Sequence, residues 1–166
     1  MTPQDNEELL DATDLKLLEL LQSDASLSNL ELARRVHVSP PTCLRRVRRL
    51  WEGGWIEKQV ALINPQKAAA QLGHGLEAIV EVTLDRQGEE ALAAFEARVV
   101  ADDAVRQCYR VSPGPDFVLI VGVPDMPAYL ALQQRLLTSD ANVRNVKAFF
   151  SVKRGKFAPR VDLRRP

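Results

Sequence analysis

Four arginines fall within five positions, Arg45, Arg46, Arg48 and Arg49, inside the stretch "SPPTCLRRVRRLWEGG" (39–54). A guanidinium is permanently charged and presents five donors in a planar fork, so such a strip can pair with carboxylates or grip phosphates and guanine edges. No acid lies among residues 41–51, which argues against pairing within the strip. A second constellation is the loop "SPGPDF" (112–117) between two apolar runs. There Asp116 either forms the turn or accepts a ligand's ammonium group, with Gly114 letting that ligand approach backbone amides.

Other chemistry is missing. His37 and His74 stand alone, one in a turn and one in a glycine-rich connector, and read as solvated or capping residues. No serine or cysteine has a histidine and an acid at motif spacing, and there is no Walker-type or GxGxxG loop. Cys43 and Cys108 lie far apart without a CxxC or histidine companion. They read as reduced, buried, small apolar residues of a cytoplasmic protein, so no catalytic residues, no metal and no cofactor are expected.

The elements that must hold these residues follow from pattern. The 166 residues carry no formal net charge and are 46% hydrophobic and 27% charged. That suits one or two small domains with real cores. No window approaches the roughly 18 apolar residues of a membrane span, and the acidic start lacks the features of a secretory signal. The zero total hides asymmetry. Residues 1–27 hold seven acids against one base (−6), residues 28–58 seven bases against three acids (+4), and residues 153–166 six bases against Asp162 (+5). Local patches of this kind, not the total, set the field a partner meets.

Residues 14–22 predict a helix with an apolar stripe of Leu15, Leu17, Leu18 and Leu21, capped by Asp11 or Asp14. Ser28 to Glu31 match a capping box opening a second helix that turns Leu30, Ala33 and Val36 inward. "HVS" makes a tight turn, Ser39-Pro40 starts a third helix and Gly53-Gly54 stops it. At 100° per residue, Cys43, Leu44, Val47 and Leu50 of this helix share the buried side. Pro41, Thr42, Arg45, Arg48 and Arg49 project opposite, with Arg46 on the flank. Helix, short turn and basic helix make a helix-turn-helix. In that reading Pro41, Thr42 and Arg45 lie nearest base edges, and Arg46, Arg48 and Arg49 meet phosphates of double-stranded DNA. One such helix reads only a few base pairs, so a dimer on two half-sites is expected.

"WIEKQVALINPQ" (55–66) suggests a strand and exit linker, and "KAAAQLGHG" (67–75) a short helical or irregular connector. From Leu76 onward the order is strand, helix, two strands joined by the Asp116 loop, helix, strand. Val146, Ala148, Phe150 and Val152 share one face of the last strand. This βαββαβ order is ferredoxin-like, so the fold class is α+β. The expected divisions are 9–58, 59–75, 76–154 and a basic, solvated tail at 155–166.

Three stretches carry a resemblance: "LDATDLKLLELLQSDASLSNLELARRVHVSPPTCLRRVRRL", "ALINPQK" and "VSPGPDFVLIVGVPDMPAY". Over residues 9–153 the chain resembles the Lrp/AsnC group of transcription factors. The resemblance implies a winged helix-turn-helix and a C-terminal domain (RAM) that dimerises through its sheet and assembles further, often to octamers. It implies an amino-acid effector, such as leucine or methionine, bound between dimers near the hairpin loop. Ser39, Pro41, Thr42, Arg46 and Arg49 match recognition-helix positions; Val111, Ser112, Asp116 and Met126 match effector-pocket positions. Three departures stand out. Pro113 takes a glycine place, with Gly114 shifted by one. Val146 and Ala148 replace threonines, and Arg110 replaces a leucine-like residue. Trp51 and Trp55 are expected to pack the helix end against the wing.

Two other functions are compatible with the fold. Sirohaem decarboxylases resemble it, but such an enzyme would not need clustered arginines. A nucleoid-type architectural protein would bind DNA with a specificity ratio near one.

Overall fold

The computed structural model describes residues 9–73 and 75–163; His74 lies outside them. The chain forms two compact units, one of residues up to Leu62 together with those from Phe157 onward, the other Ile63–Lys156.

In the first unit, Asp11 caps α1 (Ala12–Ser23) through a capping box with Asp14. Ser28 and Glu31 form the box that opens α2 (Asn29–Val36). Such boxes satisfy amides that the first turn leaves without carbonyl partners. His37 ends α2 in the left-handed conformation, with φ 58°. Three residues later Pro40 opens α3 (Pro40–Glu52). The α3 start is tied to α2, because Asn29 Nδ2 donates to the Pro40 carbonyl at 2.9 Å. Gly54, with φ 72°, reverses the chain after α3. The core is Leu17, Leu18, Leu32, Ala33, Val36, Cys43 and Leu50.

Four expectations change here. Leu30 is 49% exposed, and Leu32 takes its place inside. The expected strand at 55–66 does not form: residues 56–64 belong to no strand or helix, and 65–66 open a helix instead. A ladder needs a neighbouring edge, and this unit offers none. Trp51 and Trp55 are correspondingly exposed, while Ile56 packs on the core. Finally, the tail does not run free. Gln22 and Val161 are hydrogen-bonded, and Leu163 packs against the core of this unit.

The second unit opens with α4 (Pro65–Leu72), capped by Asn64. Then follow β1 (Leu76–Leu84), α5 (Glu89–Val100), β2 (Val105–Arg110), β3 (Phe117–Val123), α6 (Met126–Leu132) and β4 (Val143–Phe150), with α6 running on as a π-helical segment, Gln133–Thr138. The antiparallel sheet has the order β2-β3-β1-β4, the ferredoxin-like arrangement. Strand alternation sends Ala78, Val80, Val82 and Leu84 of β1, with Phe117, Leu119, Val121 and Val123 of β3, into one core. Phe95 and Val99 of α5 and Tyr129 and Leu132 of α6 cover that face.

Among the described residues, no helix of this unit covers the opposite face. Its rows read Gln107, Ile120, Ile79, Phe149 and Tyr109, Val118, Glu81, Lys147 across the four strands. Ile79, Tyr109 and Phe149 are 41%, 51% and 45% exposed. In β4, Val146 and Ala148 pack on the core as expected. Phe150 is only partly covered, its ring set edge-on to Tyr129 at 5.0 Å, and Val152 lies wholly in solvent beyond the strand end.

Candidate nucleic-acid interface and effector loop

The basic helix is built differently from the helical wheel. Its inner stripe is Cys43, Arg46, Val47 and Leu50, spaced i, i+3, i+4, i+7. Leu44, expected inside, is 60% exposed. Arg46 replaces it because acids of α1 receive the guanidinium. Arg46 Nη1 donates to Asp14 Oδ1 at 2.8 Å and to Asp11 Oδ2 at 2.7 Å. Arg49 Nη2 donates to Asp14 Oδ2 at 2.5 Å. Asp14 is completely buried, and the hydrogen bonds that Arg46 donates to Asp14 and then to Asp11 raise its pKa above the ordinary value. The absence of acids within 41–51 therefore misled: the partners sit some thirty positions away in sequence.

Of the four arginines, Arg48 meets Glu52 one turn on at 3.5 Å, both well exposed. An exposed pair of this kind contributes about 0–1 kcal/mol and is screened by salt. Arg45 is exposed and forms no ion pair among the described residues. The outward stripe is thus Pro41, Leu44, Arg45 and Arg48. Thr42 stands beside it, its hydroxyl 2.8 Å from that of Ser39. Ser39 makes no side-chain cap bond to the helix; its hydroxyl goes to Thr42. A cleft of about 310 Å³ beside this stripe is lined by Leu9, Asp11, Asp14, Arg45, Arg46 and Arg49.

In the second unit, the loop after β2 positions Asp116 firmly. Its Oδ2 accepts from Leu84 N at 2.7 Å and Gln87 Nε2 at 3.2 Å, and its own N–H donates to the Val82 carbonyl at 2.9 Å. The carboxylate therefore ties the hairpin to the end of β1. Val111, Ser112 and Gly114 stand exposed beside it, and Gly114 has φ 125°, a conformation side chains rarely adopt. Met126 is 41% exposed but lies past the far end of β3, about 20 Å of strand away. One chain does not bring these five residues together. Arg110 pairs with Glu89 and Glu96 of α5 at 2.8 and 2.7 Å, fixing the end of β2.

From the sequence Asp11 and Asp14 read only as caps and Leu44 as buried; the pairing of the two acids with α3 comes from the fold. The "LDATD" spacing and the acidic first 27 residues were the available signal for the two acids. Burial pushes the Cys43 thiol pKa up, as suits a core residue. Among the described residues no group of three His, Cys, Asp or Glu is set to hold a metal, and no helix is long and apolar enough to cross a membrane.

Residues 10–57 match a family described as winged helix-turn-helix DNA-binding, and residues 77–161 match the Lrp/AsnC ligand binding domain. The chain belongs to the Lrp/AsnC family of transcriptional regulators. The Lrp/AsnC protein described here is 38% identical over 154 residues to the leucine-responsive regulatory protein of Rhizobium meliloti, covering 93% of this chain and 96% of that one. It is 34% identical to that of Escherichia coli K12, over 93% and 92%. An AsnC family regulator of Agrobacterium tumefaciens superposes with a TM-score of 0.81 at 30% identity, covering 93% and 97%. A Neisseria meningitidis regulator in complex with L-methionine does so with 0.81 at 31%, again over 93% and 97%. This regulator is therefore a ligand-responsive, DNA-binding transcription factor and not an enzyme.

Proposed function

We propose that the outer stripe of α3 enters the major groove of an operator half-site, with double-stranded DNA read in sequence-specific fashion. Arg45 suits a bidentate contact to guanine O6 and N7, Leu44 and Pro41 suit thymine methyl groups, and Arg48 suits phosphate. Ser39 holds the Thr42 hydroxyl in place for a further contact. Arg46 and Arg49 stand behind this surface and support it. The observation that carries the reading is the combination of a rigidly docked helix with an exposed Pro41, Leu44, Arg45, Arg48 stripe.

The effector is an amino acid, leucine or methionine being the first candidates, the latter supported by the methionine complex of the Neisseria relative. Its site is assembled between subunits, Val111, Ser112, Gly114 and Asp116 from one and Met126 from another. The separation of these residues within one chain supports that division. Homodimers form through the helix-free face of the sheet, whose Ile79, Ile120, Val118, Tyr109 and Phe149 would otherwise face water, and dimers assemble further into octamers. Such a regulator works in the cytoplasm, where its DNA is.

The test is binding of the full-length protein to duplexes from its own promoter region and to scrambled duplexes, at 50–200 mM salt, with and without each amino acid. Preference for one promoter fragment, altered by one or a few amino acids, is expected. A specificity ratio of one would favour the architectural reading, and affinity indifferent to all twenty would remove the effector.

A further inference from the structure

Burying a carboxylate completely is costly unless it is paired and hydrogen-bonded on both oxygens. Asp14 meets that condition through the Arg46 and Arg49 guanidinia, with Asp11 N–H adding a 3.2 Å bond to Oδ2. The guanidinia accept a constraint in return. Arg46 Nε is buried without a hydrogen-bond partner, so the side chain sits where Asp14 directs it and not where all its donors are satisfied. Asp11 and Asp14 together cancel the charge of Arg46 and Arg49. The field that α3 shows to solvent is then that of Arg45 and of Arg48, the latter only loosely met by the exposed Glu52.

We propose that Asp14 is a positioning residue for DNA recognition, which fixes the rotation of α3 and withholds Arg46 and Arg49 from DNA phosphates. This rests on the α3 reading above and adds a division of labour within it. Sequence-independent affinity grows with each phosphate neutralised, the salt slope steepening by about 0.9 per contact. Two arginines kept from phosphates therefore lower binding to every wrong sequence, while Arg45 keeps its base contact. Discrimination rises through the cations not used.

The experiment measures binding of full-length native, Asp14→Asn, Arg48→Ala, Arg46→Ala and Asp14→Asn/Arg46→Ala proteins to a promoter duplex and a scrambled duplex across 50–200 mM salt. Asp14→Asn should steepen the scrambled-duplex slope by about one to two and reduce the promoter-to-scrambled ratio several-fold. Arg46→Ala should leave the slope unchanged in the native background and lower it by about 0.9 in the Asp14→Asn background. A folded Asp14→Asn protein with an unchanged or shallower slope would overturn the proposal. So would an Arg46→Ala effect of equal size in both backgrounds. If Asp14→Asn does not fold, the native-background pair decides: Arg48→Ala must lower the slope and Arg46→Ala must not. Native protein that binds no duplex would instead overturn the α3 reading itself.

Discussion

Gln22 and Val161, 139 positions apart, exchange two hydrogen bonds: the Gln22 amide donates to the Val161 carbonyl and accepts from the Val161 N–H, each at 3.0 Å. The side chain of α1 thus treats the C-terminal segment as a strand edge would, satisfying both of its backbone groups. Two residues on, Leu163 packs against the same unit's core. The segment is a strap across α1.

Removing residues 157–166 should therefore lower the stability of the helix-turn-helix unit. Both tryptophans, Trp51 and Trp55, lie in that unit, so their fluorescence reports its unfolding in urea. Leu163→Ala alone should cost about 1 kcal/mol, less than the 2–5 kcal/mol of a fully buried leucine because Leu163 is only half-buried. Melts that coincide with the full chain would mean the strap contributes nothing.

The Asp116 carboxylate has a structural duty that can be separated from its charge. Asparagine in its place keeps an oxygen for the 2.7 Å bond from Leu84 N, whereas alanine leaves that amide without its acceptor. Asp116→Asn should then fold like the native protein yet lose the amino-acid response, because a neutral amide holds an ammonium group poorly. Asp116→Ala should lose the response and also about 1–3 kcal/mol of stability. Calorimetry with the responsive amino acid, paired with urea melts, distinguishes the two. An Asp116→Asn protein that binds the amino acid as tightly as native would remove Asp116 from the effector site.

Much of this architecture is written in short-range signals. The capping box at Ser28, the Ser39-Pro40 start and the alternation of β1 and β3 each depend on neighbours within four positions and are legible as such, whereas at the first helix the sequence leaves the cap open between Asp11 and Asp14. What hydropathy misplaces is decided at longer range. Leu44 and Arg46 exchange places because a buried acid on α1 makes an arginine acceptable inside α3, and a pattern that scores arginine as polar turns the helix the wrong way. The tail's basic composition reads as solvated, and residues 155–162 are exposed, but composition does not show that Leu163 and the Gln22 bonds tie its far end to α1. Met126 sits in a motif beside the loop residues in sequence order, yet β3 carries it to the other end of the sheet.

The helix-free face of the sheet has a direct consequence for assembly. Ile79 lies at its centre, flanked by Ile120 on β3 and Phe149 on β4. Ile79→Lys leaves the core untouched, since the side chain already points away from Val80 and its neighbours. It should shift the protein from dimer or larger species toward monomer at micromolar concentration, as read by light scattering after size exclusion. DNA affinity should fall with it, because two half-sites are no longer gripped together. An unchanged mass would place the subunit interface elsewhere.

Acid should loosen the second unit through Asp102. Its carboxylate pairs with Arg135 of the π-helical segment and accepts from Ala104 N at 3.0 Å, and the Arg135 hydrogen bond holds its pKa below the ordinary aspartate value. The folded carboxylate therefore takes up a proton less readily than the unfolded one. The stabilisation is whole above about pH 4, where an unfolded aspartate is ionised, and is lost as pH falls through the lower folded value. Arg135 is 57% exposed, so solvent screening keeps the contribution to about 0.2–1 kcal/mol. Urea unfolding followed by circular dichroism at pH 3, 4, 5 and 7 should show native stability falling more steeply below pH 4 than that of Asp102→Asn, with the gap between the two constant from pH 5 to 7. Parallel acid limbs would mean that the Arg135 contact does not persist in solution.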